Sequence, residues 1–434
     1  MDRASLAQWL ARLETLHPNP IDLGLERVAS VARALALLPV GVPVVTVAGT
    51  NGKGSTVAVL EAVLSQAGLR TGVYTSPHLL RFNERIRVGG VEAGDEEIIA
   101  AFQAIDTARG ETSLTYFEFA TLAALAVFRD RTVDVLVLEV GLGGRLDAVN
   151  IVDPTVAVIT RIDLDHQSWL GTDRGSIARE KAGIVRRGAP VVIGDPDPPA
   201  SLLACARGAG AAPIVCLGRD FRVEQLSEQW QGVLVNRDGR SRTLPAQPAG
   251  SLLPANVCAA LQAAELLGCE FSDEQLGEAL SRARPRGRCE RQQWAGREYV
   301  LDVAHNPAAV NNLVEILNVS HCKGKTIALF SVMNDKDIPA MIRAAAGCFS
   351  AWFVADQANN PRAARGGDVA ALLRAEGQAM VSLSRNLRQA FRRAQTVMAE
   401  GDRLVVFGSF YTVAEILPLL DRDRERLTGG TARE

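Results

Sequence analysis

Short apolar, β-branched runs alternate along this chain with stretches whose apolar residues recur at helical spacing. Runs at 42–47, 71–74, 133–140, 155–159 and 190–193 predict strands, and 57–67, 96–108 and 117–128 predict helices between them. Strands that alternate with helices argue for a mainly parallel sheet covered on both faces. Residues 215–245 break the rhythm with short alternating runs around Asn236-Arg237-Asp238-Gly239, a hairpin signal. Residues 282–288 are rich in arginine, with Pro285 and Gly287, and read as an interdomain linker. A second alternation follows, with strands expected at 299–303, 326–331, 352–355 and 403–407 and helices at 308–317 and 387–399. The tail after Leu420 is charged and is expected to fray. The chain shows no internal repeat, and the expected division is 1–287 and 288–434.

Bulk properties narrow the function. At 434 residues the chain exceeds what one growing core supports, so two domains are expected. A net charge of −2 gives no reason to expect nucleic acid or an anionic membrane as partner. No apolar run reaches transmembrane length, and the N-terminal stretch around Trp9 and Leu10 does not read as a signal peptide. The seven cysteines are scattered and lack metal-type spacing, which fits reduced thiols in a cytoplasmic protein.

The chemistry begins where the first strand ends. Val44-Val45-Thr46-Val47-Ala48 runs into Gly49-Thr50-Asn51-Gly52-Lys53-Gly54-Ser55-Thr56 and then a helical pattern. Glycines there let backbone N–H groups close on phosphate oxygens, and a helix N-terminus favours their charge. Lys53 adds a cation for β- and γ-phosphates, and Ser55 or Thr56 can reach Mg²⁺. The spacing departs from the common P-loop, because Gly54 separates Lys53 from the hydroxyls. A turn that binds nothing is the competing reading, but three glycines, a lysine and two hydroxyls weigh against it. The fold class is therefore α/β: a P-loop domain with a mainly parallel sheet, followed by a smaller, Rossmann-like α/β domain.

Other strand ends carry polar residues where ligands sit in open α/β sheets. Thr75-Ser76-Pro77-His78 follows the second strand, although a serine before proline is usually a turn residue. Glu139 closes Val135-Leu136-Val137-Leu138, and a buried carboxylate there is costly unless paired or metal-bound. Asp163-Leu164-Asp165-His166 follows the next strand, making His166 a candidate ligand rather than a structural histidine. Gly141-Leu142-Gly143-Gly144-Arg145-Leu146 lacks the last glycine of a dinucleotide fingerprint. It reads as a tight turn near phosphate or substrate, with Asp147 and Asn150 as polar contacts. Asp302-Val303-Ala304-His305-Asn306-Pro307 and Gly408-Ser409-Phe410-Tyr411-Thr412 place polar groups at strand ends of the second domain; Asp302 and His305 suit contact with ribose or phosphate, and an Asn-Pro helix start with an incidental histidine is the competing, less favoured reading.

In this order Gly-Thr-Asn-Gly-Lys-Gly-Ser, Ser-Pro-His-Leu, Glu-Val-Gly-Leu-Gly-Gly-Arg-Leu-Asp-Ala, Asp-His-x-x-Trp-Leu-Gly, Glu-Lys-Ala-Gly-Ile and Asp-Val-Ala-His-Asn-Pro resemble the folylpolyglutamate synthase family, related to the Mur ligases. The likeness runs over nearly the whole chain. Residues 21–28 and 114–118 resemble the bacterial bifunctional dihydrofolate synthase/folylpolyglutamate synthases more than the single-function members.

The resemblance implies a ligase that uses ATP to join L-glutamate to dihydropteroate and to tetrahydrofolate through an acyl phosphate. It implies one or two Mg²⁺ ions and leaves open a monovalent cation. Gly52, Lys53, Gly54, Ser55, Asn256, Arg288 and Asp302 match ATP contacts. Ser76, Glu139 and His166 match ligands of one Mg²⁺, and Lys181 matches a lysine that, when carbamylated, holds a second. Asp22, Leu23, Gly24 and Leu25, then Thr115, Tyr116, Phe117 and Glu118, then Leu146, Asp147 and Ala148 match the dihydropteroate site. His305 and Ser409 fall in motifs on the glutamate side of a cleft, and Lys53, Lys181 and His305 are the catalytic candidates. A monomer with only small-molecule partners is expected. The arginine-rich 284–288 segment departs from the family's usual Pro-Gly-Arg there, and 359–367 departs as well. A Mur ligase with a nucleotide-linked substrate and a regulatory P-loop ATPase with a protein partner are the alternatives.

Overall fold

The computed structural model describes residues 4–429, which divide into two compact units. The first comprises residues up to 248 together with 254–283, and the second comprises 249–253 with the chain from 284.

The first unit is built on eight strands: β1 Val44–Ala48, β2 Thr71–Tyr74, β3 Ile86–Val88, β4 Val91–Glu92, β5 Val135–Glu139, β6 Val156–Ile159, β7 Val191–Ile193 and β8 Ile214–Cys216. Their order is β4-β3-β2-β5-β1-β6-β7-β8. All neighbouring pairs from β2 to β8 run parallel, and only β3 and β4 turn antiparallel at one edge. Every residue of β1 is buried, which is why four of its five residues are β-branched and none is charged, rather than apolar and polar residues alternating. The chain passes outward to β2, returns through β5, and then crosses to β6 on the other side of β1. That reversal puts a crevice at the carboxyl end of β1, where open α/β sheets take their ligands.

The helix Lys53–Gln66 follows β1 directly, with Gly52 at its cap in the left-handed region, φ +96°. Tyr116–Arg131 precedes β5 and is buried almost throughout, from Glu118 to Phe128. It starts with a reciprocal cap, in which Thr115 N–H donates to Glu118 Oε2 (2.7 Å) and Glu118 N–H to Thr115 Oγ1 (3.2 Å). The predicted hairpin forms as β9 Arg222–Leu226, β10 Gln229–Val235, β11 Ser241–Thr243 and β12 Gln247–Pro248, with Asn236–Arg240 at the β10–β11 turn. Gln262, fully buried on the helix Pro254–Leu267, holds this small sheet by bonding both N–H and C=O of Val235.

The second unit has β13 Glu290–Trp294, β14 Arg297–Leu301, β15 Thr326–Phe330, β16 Ala351–Ala355, β17 Val381–Ser384 and β18 Arg403–Phe407. The order is β13-β14-β18-β15-β16-β17, parallel except for the β13–β14 hairpin. Phe330, Phe349, Trp352 and Phe407 make an aromatic centre with ring centroids 4.9–6.0 Å apart. The charged tail does not fray at Leu420: the helix Phe410–Gly429 runs through it. Asp423 explains the difference, because it accepts from Arg392 and Gln395 on the helix Leu387–Val397 and so ties the last turns down.

Candidate active site

The P-loop is held open by its neighbours. Thr50 N–H donates to Arg161 C=O (2.8 Å), Thr160 Oγ1 to Asn51 C=O (2.8 Å), and Thr50 Oγ1 exchanges bonds with the backbone of Asp163. The loop after β6 is therefore a scaffold for the loop after β1. Gly52 admits no side chain, because a Cβ there would lie 2.4 Å from Asn256 Oδ1 as well as being strained by its φ. Asn256 thus sits against the loop whose ATP role it was expected to share. In the first helical turn Ser55 is half-buried while Thr56 is fully buried, so Ser55 is the hydroxyl open to a ligand.

Two lysines meet on one carbonyl. Lys53 Nζ and Lys181 Nζ each donate to Gly49 O at 2.9 Å. Lys181 ends the helix Arg174–Lys181 and is 4% exposed. Burial first, and then the Lys53 charge, push its ammonium down to about 7. A large share of Lys181 is therefore uncharged amine at neutral pH. The glycine turn after β5 makes this possible: a Cβ on Gly144 would meet the carbonyls of Glu180 and Lys181 at 3.0 Å, and Arg145 N–H donates to Glu180 O. The partial dinucleotide fingerprint is thus a close-packing device that seats Lys181.

Glu139, at the carboxyl end of β5, is 1% exposed and accepts the Ser76 N–H at 3.2 Å. His166 is exposed, with φ +51°, at the start of the short helix Gln167–Leu170. Among the described residues no three His, Cys, Asp or Glu side chains gather into a metal cage. Mg²⁺ does not need one, since it is usually held by one or two carboxylates with phosphates and water. A buried carboxylate beside Ser76, at the P-loop end of the sheet, fits that mode.

Beside Ser76 opens a cavity of about 290 Å³. It brings together Asp22, Leu23 and Gly24, then Thr115, Tyr116, Phe117 and Glu118, then Leu146, Asp147 and Ala148, three segments far apart in sequence. Leu25 does not line it; it caps the helix Glu26–Ala34 instead. Glu118 Oε2 serves the helix cap, while Oε1 lies 3.2 Å from Arg27 Nη2 without a hydrogen bond, and Arg27 also pairs with Asp22. These two carboxylates shape the wall more than they offer it charge. Asp147 accepts from Leu142 N–H (2.8 Å) and Val149 N–H (3.0 Å), yet burial lifts it to about 6. Pro77 and Leu142, from the marked strand-end motifs, also line the cavity, as does Arg85, which no sequence signal had marked.

Within the second unit, Asp302 accepts from Cys289 and Ala304 N–H, both at 2.7 Å, and burial lifts it to about 6 against the nearby Arg288 charge. His305 Nδ1 donates to Val303 O (2.8 Å), which orients the ring. Phe410 lies beside both His305 and the Arg288 guanidinium. Ser409 is buried and caps the helix Phe410–Gly429 through Thr412 N–H (3.1 Å), a structural task the sequence did not announce.

Residues 47–264 match the Mur ligase middle domain and 287–410 the Mur ligase glutamate ligase domain. The chain is 40% identical over 420 residues to the dihydrofolate synthase/folylpolyglutamate synthase of Escherichia coli K12, covering 96% of each. It belongs to the folylpolyglutamate synthase family. The Haemophilus influenzae dihydrofolate synthase/folylpolyglutamate synthase is 39% identical, over 96% of this chain and 98% of its own. Among solved structures of the family, Escherichia coli FolC in complex with DHPP and ADP superimposes with a TM-score of 0.90 at 38% identity, covering 97% of this chain and 99% of that one. A Yersinia pestis bifunctional synthase complexed with AMPPNP and Mn ion gives a TM-score of 0.88 at 41% identity, covering 96% and 98%. The α/β architecture inferred from the strand–helix alternation is the family's own.

Proposed function

We propose that this chain is an ATP-dependent ligase that joins L-glutamate to 7,8-dihydropteroate, forming dihydrofolate, and to tetrahydrofolate, extending its glutamate tail. The observation that carries the reading is the cavity built from segments 22–24, 115–118 and 146–148, opening beside Ser76 and the P-loop end of the sheet. A phosphate loop alone serves many enzymes; a cavity at the same end of the sheet calls for a small second substrate.

In the reaction the acceptor's carboxylate oxygen attacks the γ-phosphorus of ATP, ADP leaves, and an acyl phosphate forms. The amine of glutamate, after losing a proton, attacks the acyl carbon and inorganic phosphate leaves. The protein's work is positioning and charge compensation. Lys53 and the N–H groups at the start of Lys53–Gln66 hold the phosphates, with Gly52, Gly54, Ser55 and Asn256 shaping their cradle. Arg288 and Asp302 are our assignments for ATP contacts from the second unit. His305 and Ser409 are our assignments for the glutamate side, where the His305 imidazole is our assignment for the acceptor of the ammonium proton. Glu139, Ser76 and His166 are the residues that would hold Mg²⁺, which when bound offsets phosphate charge. Lys181 would join them as a carbamate: its uncharged amine adds to CO₂, loses a proton and becomes an anion.

We further infer that 1–287 is the ATP-binding domain with the pterin site and 288–434 the C-terminal α/β ligase domain. We also read the chain as a cytoplasmic monomer whose partners are small molecules, and its seven free cysteines fit a reducing compartment. The direct test is ADP release with ATP and glutamate plus either acceptor. Turnover with both supports the reading, turnover with tetrahydrofolate alone reduces it to polyglutamylation, and turnover with neither sinks it.

Glu139→Gln separates metal binding from structure. The variant is expected to need a several-fold higher Mg²⁺ concentration for half-maximal rate. Its stability without metal should equal or exceed the parent's, because a buried charge is removed. Superimposable Mg²⁺ titrations would make Glu139 purely structural.

A further inference from the structure

Arg85 is a buried cation. It lines the cavity and is 8% exposed. Its Nε donates to His78 Nδ1 at 2.8 Å, and its guanidinium lies 5.5 Å from the Tyr116 ring centroid and 5.7 Å from that of Phe82. Among the described residues no carboxylate forms an ion pair with it. A desolvated guanidinium with no ion-pair partner is costly, and the cavity it lines is the direction from which an acceptor can arrive.

Asp147 lines the same cavity in the opposite sense, so a donor-only group and an acceptor share one lining. Tyr116 and Phe117 add aromatic surface for a flat ring. A 2-amino-4-oxo bicyclic ring carries the matching pattern on one edge: a carbonyl acceptor, then a ring N–H and an amino donor.

We propose that Arg85 is the specificity residue that donates to the 4-oxo oxygen of the bound ring, with Asp147 accepting from the N–H groups beside it. The assignment rests on the folate reading above and concerns its head-group site. It gives that site a reason to prefer the 4-oxo ring over a 4-amino one, which would present a donor to a donor.

The test is kcat/KM for dihydropteroate against its 4-amino-4-deoxy analogue, in the parent, Arg85→Met and Arg85→Lys, with KM for ATP and thermal unfolding measured alongside. The parent should prefer the 4-oxo substrate by roughly tenfold or more, since a site built to hydrogen-bond rejects the wrong group strongly. In Arg85→Met the preference should collapse to within about twofold while KM for ATP stays put. Arg85→Lys keeps the buried charge but loses the fork, so it should fold and retain only part of the preference. If Arg85→Met is too unstable to assay, the lysine variant decides, and full parental discrimination there overturns the proposal. Equal losses on both acceptors, with the ratio intact, would reduce Arg85 to a structural cation. A parent active only on tetrahydrofolate would end the dihydropteroate reading but leave Arg85 testable on the 4-oxo and 4-amino forms of that acceptor.

Discussion

Lys53→Ala is expected to lower ATP-dependent ligation by about 10²–10³ or more, the scale of losing one preorganised charge at a transition state. Lys53 folds back over its own loop, donating to Gly49 O at 2.9 Å and Thr50 O at 3.4 Å. It is only half-buried, so its loss should barely move thermal unfolding. The lysine pair adds a second readout. The Lys53 charge is one of the causes that depress Lys181, so the Lys181 amine should titrate at higher pH in the variant. Steady-state ADP release, thermal melting and an NMR titration of Lys181 check the three parts. Near-normal turnover in a normally folded variant would end the assignment of Lys53 to the phosphates.

Lys181→Met should do two opposite things: cut ligation by about 10² or more, and make the protein more stable at neutral pH. The sign follows from the shift. Lys181 titrates near 7 when folded against 10.5 as a free side chain. Between those values the unfolded chain binds a proton that the native state does not, so this group makes parent stability rise with pH across that window. Below pH 7 the full penalty is present, on the order of a few kcal/mol at about 1.36 kcal/mol per pH unit, less what the Gly49 hydrogen bond returns. Methionine fills the site without a charge. Urea unfolding in CO₂-free buffer at pH 7, 8.5 and 10 should therefore show the variant ahead at pH 7 and the gap closing by pH 10. Added bicarbonate should stabilise the parent and leave the variant unmoved. A variant less stable at pH 7, or a gap independent of pH, would show that Lys181 is an ordinary core lysine. Stability gained with activity lost is the expected signature of a strained functional group.

Much of this protein was legible in its chain. β1, β2, β5, β6 and β7 appear within a residue or two of the expected runs, because buried parallel strands must be continuously apolar. Glu139 could be singled out for the same reason: one carboxylate ends a run with no other polar residue. The phosphate loop was readable from local chemistry alone, since glycine, lysine and a helix start suffice. The hairpin around Asn236-Arg237-Asp238-Gly239 announced itself through its turn residues. The ordered motifs carried the family likeness, and with it most of the pocket's lining.

Other features had to wait for tertiary structure. The final helix looked frayed because its partner, Arg392, lies 31 residues from Asp423. The glycine turn after β5 resembled a nucleotide fingerprint, and only the helix end packed on Gly144 reveals its purpose. The capping bonds of Ser409 and Glu118 and the Arg27 pair, structural tasks beside their proposed substrate roles, came to light only in the folded chain. Arg85 sits in an unremarkable run, Glu84-Arg85-Ile86-Arg87, where an exposed arginine is the default. The sequence by itself determined where strands end and which residue types stand there, because burial and helix starts leave local patterns. Only the folded chain decided which charges lost their water and which found a partner. Desolvation and pairing depend on neighbours distant in sequence, as when Lys181 meets Gly49 O across 132 positions.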